Sequence, residues 1–216
     1  MYKAVIFDLD GTLVNSLEDL ANSVNKGLLA VGLPTHSVEE YRYFVGNGRD
    51  KLIERAIGNA ALSEKEKETV RTVYDEDYAI HSNDNTCEYA GCTQLLENLT
   101  KMGIKTAVLT NKPQEFVAPI LKKIYPNHSF TLAWGNSNRF KTKPDPEALL
   151  AMLKELGISK NECLYIGDSD VDVFTANNAG VDMVGACWGF RGKDELIKAG
   201  AKMTAEKPLD IMEFIK

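Results

Sequence analysis

The sequence has no long apolar run, no basic block, few histidines and no cysteine motif, and each gap removes a class of function. Its uninterrupted apolar stretches are only a few residues long, far short of the roughly 20 that a helix needs to span a bilayer. No membrane partner is expected. The N-terminus passes from Met1-Tyr2-Lys3 directly into a strand-like run, without the basic start, apolar centre and small-residue cleavage site of a secretion signal. The 25 basic residues are outnumbered by 31 acidic ones, giving a net charge of -6 and a pI near 5.2. With no basic tract to follow a phosphate backbone, nucleic acid is not an expected partner either. Cys87, Cys92, Cys163 and Cys187 are scattered, show no C-x-x-C spacing and have no histidine cluster beside them. They read as reduced thiols of a cytoplasmic protein rather than as a zinc site or a disulfide framework. Internal repeats and low-complexity tracts are absent as well.

What is present is enough apolar material for a substantial core: 44% of 216 residues. Short β-branched and apolar runs recur with helical stretches between them, at Ala4 to Phe7, Lys105 to Leu109, Thr131 to Trp134, Cys163 to Ile166 and Met183 to Ala186. This alternation predicts an α/β fold with a parallel sheet flanked by helices. Cys92 to Met102 and Pro146 to Leu156 carry leucines at helical spacing and stop at Gly103 and Gly157, as crossover helices do. The segment from 15 to 85 differs, because it holds helical patterns and no convincing strand. Leu17, Leu20, Val24, Leu28 and Leu29 form one stripe, and Val38 to Val45, Asp50 to Ile57 and Ser63 to Ile80 suggest three more helices, the last opening on a Ser63/Glu66 capping box. A helical insertion after the first strand follows, placed over the strand ends where open α/β sheets bind ligands. His81 to Thr86 is its polar return linker. Hinges for an opening and closing insertion are expected near Asn15 to Ser16 and Asn83 to Thr86. The domain reading is therefore a core of 1–14 and 86–216 with a cap of 15–85.

The chemistry-bearing clusters fall at predicted strand ends. In Phe7-Asp8-Leu9-Asp10-Gly11-Thr12, an extended backbone would point Asp8 and Asp10 to the same side, so that one carboxylate could attack phosphorus while the other handles a proton. A plain strand end with a turn would also use Asp, Gly and Thr. Thr110-Asn111-Lys112-Pro113 offers a hydroxyl and backbone N–H groups suited to phosphate oxygens, though it equally describes an ordinary turn and helix start. Lys141 to Pro146 contains Lys143, whose ammonium could sit against a phosphoryl group, or could be a solvated loop lysine. Gly167-Asp168-Ser169-Asp170-Val171-Asp172 has three acids in five residues. That set suits a hard, oxygen-seeking cation, and it also suits a helix N-terminus. An acidic protein acting on an anion needs such local cations to offset its own field.

Taken together, the order acid pair, hydroxyl, lysine, acid cluster makes the chain similar to the haloacid dehalogenase superfamily of hydrolases. The matching residues are Asp8 to Thr12, Thr110, Lys143 and Gly167 to Asp172. Val45-Gly46-Asn47-Gly48, Thr110 to Pro113 and Trp188-Gly189-Phe190-Arg191 further resemble the phosphoglycolate phosphatase branch with an α-helical cap. The resemblance spans essentially the whole chain. It implies a Rossmann-like core and a Mg2+-dependent phosphomonoesterase acting on a small phosphorylated metabolite, with Asp8 as nucleophile forming an aspartyl-phosphate. Asp10 would be the general acid and base, and Thr110, Lys143 and the Asn111 backbone would hold the phosphoryl oxygens. Asp8, the Asp10 backbone carbonyl and Asp168 would ligate Mg2+, with Asp172 completing the shell directly or through water. Gly46 and Gly48 would let the cap loop approach the site, and Arg49 would meet a carboxylate or second phosphate of the substrate, or else be a solvated first-turn residue.

Two features depart from the branch. Arg49 near the G-N-G loop resembles the related β-phosphoglucomutases, and Ala90 replaces a usual proline. A sugar-phosphate mutase, or a phosphatase for sugar phosphates, nucleotides or pyrophosphate, therefore stays open beside 2-phosphoglycolate. Asp10 argues against a dehalogenase, which lacks the second aspartate. A phosphate-binding pseudoenzyme would have lost at least one catalytic group, and none is missing here.

Overall fold

The computed structural model describes residues 1–215. The chain begins with β1 (Ala4–Phe7), which enters the ribbon strand β2 (Val14–Asn15) and then three helices, α1 (Leu17–Ala30), α2 (Arg49–Ile57) and α3 (Glu64–His81). It returns through β3 (Cys87–Glu88) and continues as α4 (Cys92–Lys101), β4 (Lys105–Pro113), α5 (Gln114–Ile124), β5 (Leu132–Asn136) and α6 (Glu147–Leu156). The final stretch is β6 (Cys163–Gly167), α7 (Asp170–Ala179), β7 (Asp182–Ala186), α8 (Lys193–Ala199) and β8 (Thr204–Ala205).

A six-stranded sheet in the order β5-β4-β1-β6-β7-β8 has every pairing parallel. This is the α/β architecture predicted from the alternation of runs. The period of two is visible in β1: Val5 and Phe7 pack with α4 residues such as Leu95 and Leu99, whereas Ala4 and Ile6 pack with α6 residues such as Leu149 and Met152. Both faces are thereby covered, which is why the strand reads as a continuous apolar run. The chain moves from β1 to β4 and β5 on one side, then crosses to β6 on the other, so β1 lies at the switch in strand order. The carboxyl ends of strands at such a switch flank a crevice.

The helices α1, α2 and α3 build their own apolar cluster around Leu20, Val24, Tyr41, Ile53, Val70 and Tyr74. The antiparallel β2–β3 ribbon, with Val14 opposite Glu88 and Asn15 opposite Cys87, carries the chain out to these helices and back. The capping box at α3 forms as predicted: Ser63 Oγ accepts from the Glu66 N–H, and the Glu66 carboxylate accepts from the Ser63 N–H. Three local expectations change. Val38–Tyr43 is a 3-10 helix rather than an α-helix running to Val45. Leu29 is 61% exposed, one step off the buried stripe of Leu20, Val24 and Leu28. Most consequentially, Thr110 to Pro113 continues strand β4 instead of turning into a helix start. No helix among the described residues is long and apolar enough to cross a membrane. All four cysteines are free thiols.

Candidate active site

The catalytic candidates meet at the carboxyl end of the central strands. Asp8 immediately follows β1, its N–H donating to the Ile166 carbonyl of β6 at 2.8 Å. Beyond it the chain turns at Gly11, whose φ of +82° belongs to the left-handed region and whose missing Cβ leaves room for Asp168. A Cβ there would stand 2.2 Å from Asp168 Oδ2. Thr12 Oγ1 donates to Asp168 Oδ1 at 3.3 Å, and the Phe190 N–H donates to Oδ2 at 2.7 Å. The Trp188 indole N–H donates to the Thr12 carbonyl at 2.9 Å, so the Trp188 to Arg191 segment braces both acidic loops.

Asp8, Asp168 and Asp172 are buried, and each offers an oxygen within 4.8 Å of the others. Lys143 Nζ lies 3.0 Å from Asp8 Oδ1 and 2.7 Å from Asp172 Oδ1. Burial opposes the charge on Lys143, but the Asp172 and Asp8 carboxylates outweigh it and hold its pKa well above the usual lysine value. The acids are not equally satisfied. Asp172 Oδ1 accepts from Lys143 and from the Tyr165 hydroxyl, and its Oδ2 accepts from the Ser169 N–H and hydroxyl. Asp8 Oδ1 accepts from the Leu9 N–H at 2.7 Å and from Lys143. Among the described residues no hydrogen-bond donor is assigned to Asp8 Oδ2. Burial pushes the Asp8 carboxyl up to about 7, against the pull of Lys143 and with the charges of Asp172 and Asp10 adding to the rise. Burial, with Asp172 and Asp8 nearby, raises Asp168 well above the carboxylate range. This crowding of negative charge around hard oxygen donors is what a divalent cation relieves, and the residues fit Mg2+.

Asp10 lies apart from that cluster. Its Oδ1 accepts from the Ser16 hydroxyl at 2.5 Å and from Lys112 Nζ at 2.9 Å, and Lys112 also reaches Oδ2 at 3.2 Å. Ser16 precedes α1 but makes no side-chain cap, because its hydroxyl is given to Asp10. Thr110 lines the cavity, and its Oγ1 accepts from the Lys112 N–H at 3.2 Å. The Asn111 side chain forms a bracket: Nδ2 donates to the Gly46 and Lys143 carbonyls, both at 3.0 Å, and Oδ1 accepts from the Lys143 N–H at 2.9 Å.

Gly46, Gly48 and Arg49 line the same cavity from the helical insertion. Gly48, at φ +84° in the left-handed region, is the N-cap of α2 and faces the core, where a Cβ would stand at an ordinary contact distance of 3.5 Å from the Asn111 carbonyl. The Arg49 guanidinium is paired with Asp75 at 2.6 Å and Asp50 at 2.9 Å, which together raise its pKa against the opposing effect of burial. From the core, Arg191 donates to the Val45 carbonyl at 3.0 Å and the Tyr43 carbonyl at 3.3 Å. The cavity has a free volume of about 40 Å³, room for a few water molecules.

Every residue assigned a role from the sequence therefore converges here, although Asn111 spends its side chain on the backbone of its neighbours. Lys112, Ser16, Tyr165 and Arg191 received no role. For Lys112 the signal was available: in a strand, position 112 shares a side with Thr110, and only the turn reading of that segment hid it. Ser16 is only six residues from Asp10, whereas Tyr165 and Arg191 reach Lys143 and Val45 across longer sequence separations.

The arrangement agrees with what the chain is similar to. Residues 5–186 match the model of the haloacid dehalogenase-like hydrolase family. A phosphoglycolate phosphatase of Pseudomonas putida is 34% identical over 218 residues, covering 99% of this chain and 77% of that one. Another, from Pseudomonas fluorescens, is 38% identical over 192 residues, covering 87% and 70%. Among solved structures, a predicted phosphoglycolate phosphatase from Haemophilus somnus superposes with a TM-score of 0.93 at 31% identity, covering 100% of this chain and 98% of that one. The chain belongs to the haloacid dehalogenase-like hydrolases, and within that family it is a phosphatase of the phosphoglycolate phosphatase-like branch.

Proposed function

We propose that the protein is a Mg2+-dependent phosphomonoesterase that hydrolyses 2-phosphoglycolate through an aspartyl-phosphate on Asp8, with residues 15–85 acting as a closing cap. The observation that carries this reading is the convergence of Asp8, Lys143, Asp168 and Asp172 in one buried cluster. The curated relatives named as phosphoglycolate phosphatases support the choice of substrate.

In the first step Asp8 Oδ2, the oxygen without an assigned donor, attacks phosphorus while the bond to the leaving oxygen breaks. Asp10 delivers a proton to that oxygen, so that an alcohol departs rather than an alkoxide. In the second step water attacks phosphorus, gives its proton to Asp10, and releases inorganic phosphate with the Asp8 carboxylate restored. Lys143 holds the nucleophile in place and, with Thr110 and the Asn111 backbone, stabilises negative charge on the phosphoryl oxygens. Asp8, Asp168 and the Asp10 backbone carbonyl would hold Mg2+, which when bound neutralises charge between the carboxylate and the phosphoryl group. Asp172, whose oxygens are already engaged by Lys143, Tyr165 and Ser169, serves this site by fixing the Lys143 ammonium. Arg49 meets the distal carboxylate of the substrate by exchanging it for Asp75, one carboxylate for another.

The test is inorganic phosphate release with and without Mg2+ across 2-phosphoglycolate, sugar phosphates, nucleoside monophosphates and pyrophosphate. Metal-dependent release with 2-phosphoglycolate among the best substrates is expected. A different preferred ester would overturn the substrate while leaving the chemistry. Conversion of β-glucose 1-phosphate to glucose 6-phosphate without phosphate release would replace the hydrolase by a mutase.

A further inference from the structure

Each aspartate of the reacting pair has its own buried lysine. Lys143 belongs to Asp8, and Lys112, from the end of β4, belongs to Asp10. The Lys112 side chain is 2% exposed and that of Asp10 is 11% exposed, so the ammonium has given up nearly all of its water. Its Nζ also lies 4.9 Å from the centre of the Tyr78 ring in α3, a cation–π distance. Burying an ion pair costs desolvation that its attraction only partly returns, and apolar residues of similar size often serve stability as well or better. A lysine held in this place is therefore poorly explained by stability alone.

The geometry shows what it does to Asp10. A carboxylate with one partner can swing about its bond to Cβ. Here Lys112 grips both oxygens, at 2.9 and 3.2 Å, and Ser16 holds Oδ1 at 2.5 Å. The plane of the carboxylate is thereby fixed. Oδ1 carries two of these bonds and Oδ2 carries one, so Oδ2 keeps the more open acceptor position. Nothing comparable comes from Lys143, whose partners are Asp8, Asp172 and Tyr165.

We infer that Lys112 is the positioning residue of the acid/base: it orients the Asp10 carboxylate so that Oδ2 can exchange a proton with the leaving oxygen and then with water. The inference rests on the reading of Asp10 as acid/base given above. Lys112 keeps its own proton throughout, and the bonds made and broken at phosphorus are those already written. Misplacing a reacting group by about 1 Å costs on the order of 100-fold in rate. The cost of losing Lys112 should therefore depend on how much the leaving group needs a proton.

The experiment compares kcat/KM, which reports steps up to departure of the leaving group, for three esters with Mg2+ present. These are p-nitrophenyl phosphate, whose leaving group departs readily as an anion, and two alkyl esters, 2-phosphoglycolate and ethyl phosphate. Lys112→Met should lose roughly 10- to 100-fold more on both alkyl esters than on the aryl ester. Lys112→Arg should recover part of that ratio. Asp10→Asn should show the same selectivity in larger measure. Because each ratio is taken within one preparation, it does not depend on the folded fraction, and Lys112→Gln stands in if the Met variant is insoluble. An equal loss on all three esters would overturn the inference, as would a loss confined to 2-phosphoglycolate, which would make Lys112 a reader of the substrate carboxylate. If Asp10→Asn itself shows no selectivity, the acid/base reading of Asp10 fails. If it does and Lys112→Met does not, only the inference fails.

Discussion

As the proposed nucleophile, Asp8 has to be ionised in a place that resists ionisation. Its carboxyl is shifted by burial from an ordinary 3.8 up to about 7, so without a metal the folded chain binds this proton more tightly than the unfolded chain does. The contribution to stability is complete below the lower value and is lost as pH rises through the window between about 4 and about 7. Asp8→Asn keeps the shape and removes the charge. Thermal unfolding of the metal-free proteins at pH 8 should therefore show the variant melting above the parent, by roughly 5 °C, with turnover reduced more than about 1,000-fold. A variant that melts lower would mean that Lys143 needs the Asp8 charge more than burial opposes it. From the sequence, the family resemblance places Asp8, Asp168 and Lys143 in one site and gives each a role, but it leaves Asp172 open between a direct and a water-mediated place in the acidic shell. That Asp172 is fully engaged by Lys143, Tyr165 and Ser169 depends on a tyrosine from the middle of β6, an apolar strand with no motif of its own.

Elements were legible where burial imposes a period and illegible where it does not. Strand β1 and helices α4 and α6 are long or apolar enough for the pattern to declare them. The ribbon strands β2 and β3 and the edge strand β8 have only two residues each, too few to show any alternation. In β4 the polar residues Thr110, Asn111 and Lys112 are buried because the site needs them, and a buried polar stretch looks like a loop in sequence. The return linker holds another such surprise. Asp19 of α1 is 2% exposed and accepts from the backbone N–H groups of Asn85 and Thr86, the Asn85 amide and the Thr86 hydroxyl. The return segment expected to hinge is thus tied to α1 at Asn85 and Thr86. Asp19→Asn would face an amide N–H group toward these donors. Urea denaturation should show a loss of about 2–4 kcal/mol. A loss under about 0.5 kcal/mol would show that the clamp contributes little.

At the scale of the whole molecule, an acidic chain with a net charge of -6 handles an anion by concentrating buried cations at one point. Lys143 comes from the loop before α6, Lys112 from β4 and Arg191 from the segment after β7, and all have side chains no more than 7% exposed. The sheet order makes this possible, because β4 and β6 flank β1 and carry their loops to the same end. Helices α1 to α3 close over that end, held by Arg191 on the Val45 carbonyl and Asn111 on the Gly46 carbonyl. The fold class and the location of the site could be read from the order of motifs, since both follow from strand ends. The contacts that hold the helices over the site could not, because they pair side chains with backbone carbonyls, which carry no residue identity. The central claim is that Asp8 carries the phosphoryl group between the two steps. It is tested by acid-quenching the enzyme during turnover of 2-phosphoglycolate with Mg2+, reducing with borohydride and sequencing the N-terminal peptide by mass spectrometry. Homoserine at position 8, dependent on both substrate and metal, is the predicted result. Unmodified Asp8 with the reduced residue elsewhere, at Asp10 or Asp168, would contradict it.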